Sequence, residues 1–292
     1  MKPAPFEYHA PESVEDAVAL LAQHGDEAKP LAGGQSLVPM LALRLTRFEH
    51  LVDLNRVDAL TRIERSNGTL VVGAMTRQAA LERSDAADDV PLLGLAAPLI
   101  GHFQIRNRGT VGGSVAHADP AGELPAVALA LDAELEVTSS SGGKRVSAMD
   151  FFVDTWTTSL EPDELLTAIR LPVWSGRCGF AVDEVARRHG DFALTGVVCG
   201  VALGKGDVVE RAAIALLGMA ATPVRASDAE TALVGLAPAA GDLAEIGQFA
   251  VRDLDPPDDI HASATYRRKV GAHLVSRGLA RALDRARETA GS

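Results

Sequence analysis

The chain has 292 residues, 47% apolar and 23% charged, enough for two or three compact units with sizeable cores. A formal net charge of −11 and a pI near 5.2 argue against a DNA or RNA partner, because the phosphate backbone would be repelled. Two cysteines, Cys178 and Cys199, are too few to hold an iron–sulfur cluster and form no zinc-type pair.

The elements follow in chain order. "PESVEDAVALLAQHG" predicts a helix capped by Ser13, with Asp16 three residues on, an apolar face of Val14, Ala17, Val18 and Leu21, and a stop at Gly25. "AKPLAGGQSLVPMLAL" runs from a short apolar stretch through Gly33-Gly34 into a helical face of Leu37, Met40 and Leu41. "HLVDLNRV" and "GTLVVGAMT" are strands, and "TRQAALERS" and "PLLGLAAPLIGHF" are helical. "ELPAVALALDAELEV" passes from helix to strand, "SSSGGKR" is a turn with Gly142-Gly143 at its tip, and "DELLTAIRLPV" is a strand.

The pattern changes at "WSGRCG". "FAVDEVARR" and "FALTGVVCGVALGKGDVVERAAIALLGM" predict a meander of strands, with Gly204, Lys205 and Gly206 at one hairpin turn. "VRASDAETALVGL" and "AEIGQFAVRDL" are helical and "DPPDD" is a loop. A long amphipathic helix follows, with Val270, Leu274, Leu279 and Leu283 along one side. The plan is α+β, with an N-terminal region to about residue 176 and a C-terminal meander with covering helices. Cys178 and Cys199, both in apolar surroundings, read as buried free thiols, with a disulfide as the alternative. No basic start precedes an apolar run and no uncharged apolar stretch of about 18 residues occurs, so the expected setting is the cytoplasm. The eight histidines show no metal spacing, and no metal site is expected.

Two turns resemble each other: "LAGGQS" at 31–36 and "TVGGS" at 110–114. A glycine pair costs conformational entropy, roughly 0.5–1 kcal/mol per residue in regular structure, so it marks unusual dihedrals or a close approach. A phosphate needs several N–H donors within about 3 Å, and a Cβ would obstruct that approach. Ser36, Thr110 and Ser114 add hydroxyls, and two such turns can grip one diphosphate from both sides. Taken alone, "LAGGQS" also fits a plain tight turn. Neither turn is a G-x-G-x-x-G or a P-loop signature, so a Rossmann site and a P-loop are disfavoured.

The runs "LAGGQSLVPML", "IRNRGTVGGSVAHADPAGELP" and "RRHGDFALTGVV" together resemble the FAD-binding medium subunit of molybdenum hydroxylases, the carbon monoxide dehydrogenase and xanthine dehydrogenase family. The resemblance covers essentially the whole chain, in order. It implies a two-subdomain FAD-binding fold of the vanillyl-alcohol oxidase (PCMH) type over 1–176, with subdomains at about 1–57 and 58–176. A C-terminal α/β domain over 177–292, of the carbon monoxide dehydrogenase flavoprotein type, completes the implied fold.

The family's first phosphate loop maps onto Ala32, Gly33, Gly34, Gln35 and Ser36, extended by Leu31, Leu37 and Val38. Its second maps onto Thr110, Val111, Gly112, Gly113 and Ser114. The segment beyond implies cofactor contacts from Ala118, Asp119 and Glu123, with the acidic groups accepting from ribose or adenine; Glu123 equally fits a solvated charge at a helix start. His117 stands where relatives often carry asparagine, and is either a donor to the cofactor or a packed turn residue; His102 reads as structural. Leu160 is placed against the flavin or in the core. Phe192 is placed near the isoalloxazine, where relatives often carry tyrosine, or inside a core strand. Many relatives carry a lysine shortly before "RR"; here Asp183 and Glu184 fill that stretch, and that lysine's flavin contact is not implied. Arg187 and Arg188 read as surface ion-pair residues, with a cationic contact to the flavin as the alternative.

The resemblance further implies an electron-transfer subunit holding one FAD non-covalently. Electrons would come from [2Fe–2S] clusters on a small partner subunit and leave to an external acceptor. A large subunit with a molybdenum–pterin cofactor would oxidise the substrate, in a dimer of heterotrimers. No residue of this chain is expected to act as nucleophile or acid–base catalyst. The alternatives are a self-contained flavin oxidase of the same fold and a scaffold subunit without flavin. The first lacks a convincing base beside the glycine turns, and the intact glycine pairs argue against the second.

Overall fold

The computed structural model describes residues 2–289, arranged as three main sheets with helices between and behind them. The first sheet is parallel: β1 (Glu7–His9), β2 (Ala28–Leu31) and β3 (His50–Asp53) lie in the order β1-β3-β2, with Leu31 opposite Asp53. Between β1 and β2 runs α1 (Val14–His24). The Ser13 hydroxyl accepts from the Asp16 N–H, as the sequence predicts, and Gly25 ends the helix at φ 52°. Ala17, Val18 and Leu21 of α1 pack with Ala28 and Val52 of the sheet. The short helix α2 (Leu37–Ala42) follows the first glycine turn.

The second sheet is antiparallel. β4 (Ile63–Ser66) and β5 (Thr69–Gly73) form a hairpin, followed by α3 (Gln78–Leu81), α4 (Ala86–Asp89), α5 (Pro91–Ala96), α6 (Phe103–Arg108), α7 (Val111–His117) and α8 (Glu123–Ala130). The chain returns through β6 (Glu134–Ser139), β7 (Gly142–Ser147), α9 (Ala148–Phe151), a small hairpin β8 (Phe152–Asp154) and β9 (Thr157–Thr158), and β10 (Leu165–Pro172). The order is β4-β5-β10-β6-β7. Every residue of α8 is buried. A helix apolar all round needs cover on all sides, and α8 has it, touching α5, α7, β12 and β13.

β11 (Arg177–Ala186), β12 (Ala193–Leu203), β13 (Val209–Leu217) and β14 (Val224–Arg225) form the third sheet, an antiparallel meander accompanied by α10 (Ser227–Leu233), α11 (Ala240–Val251) and α12 (Ala264–Glu288). Side chains alternate across a strand. Val197, Cys199 and Val201 of β12 therefore join the core beneath α11 and α12, while Val198 joins the core shared with the second sheet. This double burial explains why β12 reads as one continuous apolar run. On α12, Leu274, Leu279 and Leu283 are buried and Val270 partly so.

Several expectations need correction. The β6–β7 turn is Ser140-Ser141, and Gly142 and Gly143 already belong to β7. "TVGGS" is the capped first turn of α7, not a loop. "TRQAALERS" holds a single helical turn, α3. Both cysteines are free; Cys199 is buried, and Cys178 only half so. Arg187 donates to the Ile260 and His261 carbonyls at 3.0 Å, not to a carboxylate.

Arg267 fixes α12 to the sheet. It is 4% exposed and donates to the Leu194 and Gly218 carbonyls and, at 2.8 Å, to Asp259. Arg267→Leu leaves those acceptors short of a donor, so stability is expected to fall by about 2–4 kcal/mol in chemical denaturation, with the midpoint moving and the slope unchanged.

Candidate cofactor site

The two glycine turns meet. A Cβ on Gly33 would overlap the Arg108 carbonyl oxygen and stand 2.8 Å from Gly109 Cα. A Cβ on Gly113 would lie 3.2 Å from the Ala32 Cβ. Gly34 takes φ 74°, with Leu31 and Val38 flanking it. Gly112 faces inward: its N–H donates to the Ala74 carbonyl at 2.8 Å, and a Cβ there would strike Ala74. The glycines thus let two chain segments approach each other, and Gly112 serves packing rather than clearance for a ligand.

A strut crosses the same contact. Asn55 Nδ2 donates to the Ala32 carbonyl at 3.0 Å, Arg77 donates to Asn55 Oδ1 at 2.5 Å, and Arg77 also donates to the Arg108 carbonyl. Neither residue was singled out from the sequence. Their only signal there is polarity just after a strand, which surface loops share.

Donor accounting separates the turns. In the second, every leading N–H is engaged: Val111 to Thr76 O at 2.9 Å, Gly112 to Ala74 O, Gly113 to Thr110 Oγ1 at 3.0 Å and Ser114 to Thr110 O at 3.1 Å. Thr110 is 2% exposed and Val111 is buried. In the first turn, the N–H groups of Gly33, Gly34, Gln35, Ser36 and Leu37 have no hydrogen-bond partner among the described residues. The side-chain bonds there, Gln35 Nε2 to Gly33 O at 3.1 Å and Asn55 to Ala32 O, engage carbonyls and no N–H, and Ser36 makes no cap bond. Five successive free donors beside a closely approaching helix match what a diphosphate requires. The second segment can add the half-buried surface of Gly113 and Ser114.

Beyond α7 the chain turns at Ala118, which is buried in the left-handed region at φ 53°. Asp119 Oδ1 accepts from the Ala121 N–H at 2.9 Å and Oδ2 from Trp156 Nε1 at 3.1 Å. Trp156 is 59% exposed, donates its own N–H to Ala118 O, and lies parallel to the His117 ring at 6.2 Å. His117 is half-buried; burial lowers its pKa, the Lys29 cation lowers it further, and Asp119 opposes them, so it is neutral at pH 7. Lys29 on β2 therefore reaches this region; in the sequence it is one charge in an otherwise apolar strand. Trp156 went unnoticed too, because its position depends on the β8–β9 turn.

Glu123 is not a solvated helix-start charge. It is 8% exposed, and burial pushes its pKa up to about 8, reinforced by Glu184 and Asp119. Glu184 on β11 is raised to about 7 by burial and by Asp183, and its Oε2 is buried without a hydrogen-bond partner. Asp183 points to the other face, where Arg277 and Arg281 bind it. Leu160 packs against the main core. Phe192 lies in the β11–β12 loop, 66% exposed, so a core-strand role is ruled out. Its loop closes on the second sheet's helices through Gly190, which touches His102.

His9, His24 and His50, widely separated in sequence, come together beside the first sheet, where one ring nitrogen of each lies within 4.8 Å of the others.

These features define a glycine-lined contact with a run of free backbone donors beside it, followed by a meander-and-helix unit. The protein-family model for the FAD binding domain in molybdopterin dehydrogenase matches residues 4–174, and that for the CO dehydrogenase flavoprotein C-terminal domain matches residues 180–282. The chain belongs to this family of FAD-binding medium subunits of molybdenum hydroxylases, and is an oxidoreductase subunit. It is 44% identical over 290 residues to the 6-hydroxypseudooxynicotine dehydrogenase complex subunit alpha of Paenarthrobacter nicotinovorans, covering 99% of this chain and 98% of that one. Among solved structures, carbon monoxide dehydrogenase from Hydrogenophaga pseudoflava, lacking the Mo-pyranopterin moiety of its cofactor, matches with a TM-score of 0.95 at 40% identity over 98% and 99% of the two chains. Quinoline 2-oxidoreductase from Pseudomonas putida 86 matches with a TM-score of 0.92 at 36% identity, over 98% and 99%. No helix among the described residues is long and apolar enough to cross a membrane.

Glu123 gives the stability a pH dependence. Its folded pKa, about 8, lies above the ordinary 4.5, so the native state holds a proton that the unfolded chain releases. This contribution is complete below about pH 4.5 and is lost as pH rises toward 8. Denaturation of the chain at a series of pH values is expected to show stability falling between pH 5 and 8, by a few kcal/mol at most, and Glu123→Gln should flatten the slope.

Proposed function

We propose that the chain is the electron-transfer subunit of a heteromeric molybdenum hydroxylase, holding one FAD non-covalently between its first two sheets. Residues 1–176, with parts at about 1–57 and 58–176, form the cofactor unit, and 177–292 the C-terminal unit. The observation that carries this reading is the run of free N–H donors from Gly33 to Leu37, set against Gly113 and Ser114.

The residues present fit the cofactor. The first turn binds the diphosphate through its backbone, flanked by Leu31, Ala32 and Val38. The α7 turn, with Thr110, Val111 and Gly112 as its buried frame, supplies the opposing wall. His117, Ala118 and Asp119, held by Trp156, border the nucleotide. Leu160 backs the site, and the exposed Phe192 ring offers a flat apolar face. Buried Glu123 acts from behind this surface, keeping its proton near neutral pH.

FAD, when bound, supplies redox chemistry able to take and give electrons one or two at a time. The protein's own residues bind, orient and exclude water; none is placed as a catalytic acid or base. Electrons come from [2Fe–2S] clusters of a small subunit, substrate oxidation belongs to a large molybdenum–pterin subunit, and the assembly is a dimer of heterotrimers in the cytoplasm. The names of two relatives, a "medium chain" and a "complex subunit alpha", support such a division of labour.

Purified chain is expected to be yellow and to release its flavin on acid precipitation; colour kept in the pellet would point to a covalent oxidase, and a colourless chain that FAD cannot reconstitute to a scaffold. Gly33→Val is expected to weaken FAD binding about tenfold or more, because overpacking of about 1–3 kcal/mol pushes the two turns apart. Fluorescence titration with FAD measures it, and unchanged affinity would refute the assigned turn. Co-purification from the native host should recover two companion chains with molybdenum and iron.

A further inference from the structure

The first sheet carries a group of side chains that the flavin site leaves unused. Glu7 and His9 stand two residues apart on β1, hence on one face; His50 on β3 is the register partner of Glu7 and shares that face. His24, the last residue of α1, stacks on His50 with ring centroids 3.7 Å apart. One ring nitrogen from each of the three histidines lies within 4.8 Å of the other two. His9 Nε2 and His50 Nδ1 are 3.1 Å apart, and Glu7 Oε2 is 3.6 Å from His50 Nδ1.

A tetrahedral zinc ion with bonds of about 2.0–2.1 Å sets its ligand atoms about 3.3–3.4 Å from one another. The His9–His50 and Glu7–His50 distances already bracket that edge, and the His24 nitrogen lies within 4.8 Å of the other two histidines' nitrogens. One hydrogen bond, His9 to His50, accounts for a single pair of nitrogens, whereas His24 makes no side-chain hydrogen bond among the described residues. The cluster also sits at the C-terminal end of an eleven-residue helix, the end that favours a cation. Imidazole nitrogens with one carboxylate suit zinc and its first-row neighbours, not magnesium or calcium.

We propose that His9, His24 and His50, with Glu7 or water as the fourth ligand, form a site for a divalent transition-metal ion of the zinc type. The ion ties together β1, the end of α1 and the start of β3. None of its ligands belongs to the cofactor cradle, so its role is to brace the sheet from which the Gly33 turn springs.

The test uses untagged, FAD-loaded full-length protein, stripped with chelator and titrated with zinc and, separately, cobalt(II). A single zinc ion per chain is expected, with a raised melting temperature and an intense tetrahedral cobalt spectrum. Affinity should fall on acidification, because protons and metal compete for the same ring-nitrogen lone pairs. His24→Ala and His50→Ala should each weaken zinc binding about tenfold or more while the flavin absorbance stays unchanged. The absence of saturable binding to the wild-type chain, a weakly absorbing octahedral cobalt spectrum, or equal binding by the His24→Ala/His50→Ala double variant would each overturn the site. Because the cobalt spectrum and pH profile are read on the wild-type chain, they decide the question even if a variant fails to fold.

Discussion

The molecule depends on a contact between two backbones with no side chain between them. Gly33 lies against the Arg108 carbonyl and Gly109, and Ala32 faces Gly113. The first sheet and the second also share a core at one point, where Leu165 of β10 and Met75 pack with α1 and Val52. Their two glycine turns touch here. Any added carbon at Gly33 converts a contact into an overlap, which is why this spot tolerates no compromise of volume. Among the described residues the amides from Gly33 to Leu37 have no partner, and the turn is held by what lies behind it.

Electrostatics divide along the same line. The exposed surface is strongly acidic overall, yet Lys29 and Arg77 stand near the turns, and the nearest acids are neutralised or engaged. Glu123 and Glu184 are drawn toward the protonated form by burial, and Asp119 is bound to Trp156 and Ala121. Asp183, one residue from Glu184, is satisfied by two arginines of α12. Adjacent strand positions face opposite layers, so two like residues acquire opposite behaviour.

Much of this was legible from residue order. Helix α1 announced itself through Ser13, Asp16 and Gly25, because caps are local chemistry. The strands of the meander were legible as apolar runs punctuated by glycine. The glycine pairs drew attention correctly, but for a reason that only geometry corrects: in Gly112 and Gly33 it is the neighbouring chain that needs the space. α7 was misread as a loop because two glycines argue against a helix, whereas Thr110 capping and the anchors to Thr76 and Ala74 overrule propensity. The Asn55–Arg77 strut and the gathering of three histidines were invisible, since parallel pairing of β1 with β3 joins positions that no spacing rule connects. The site residues as a set remain a reading of the cradle's geometry.

The Asn55–Arg77 strut has one more implication. It fastens the Ala32 carbonyl to the Arg108 carbonyl using only this chain's own atoms. The spacing of the two turns is therefore set by the chain's own hydrogen bonds, which hold both backbones in one register.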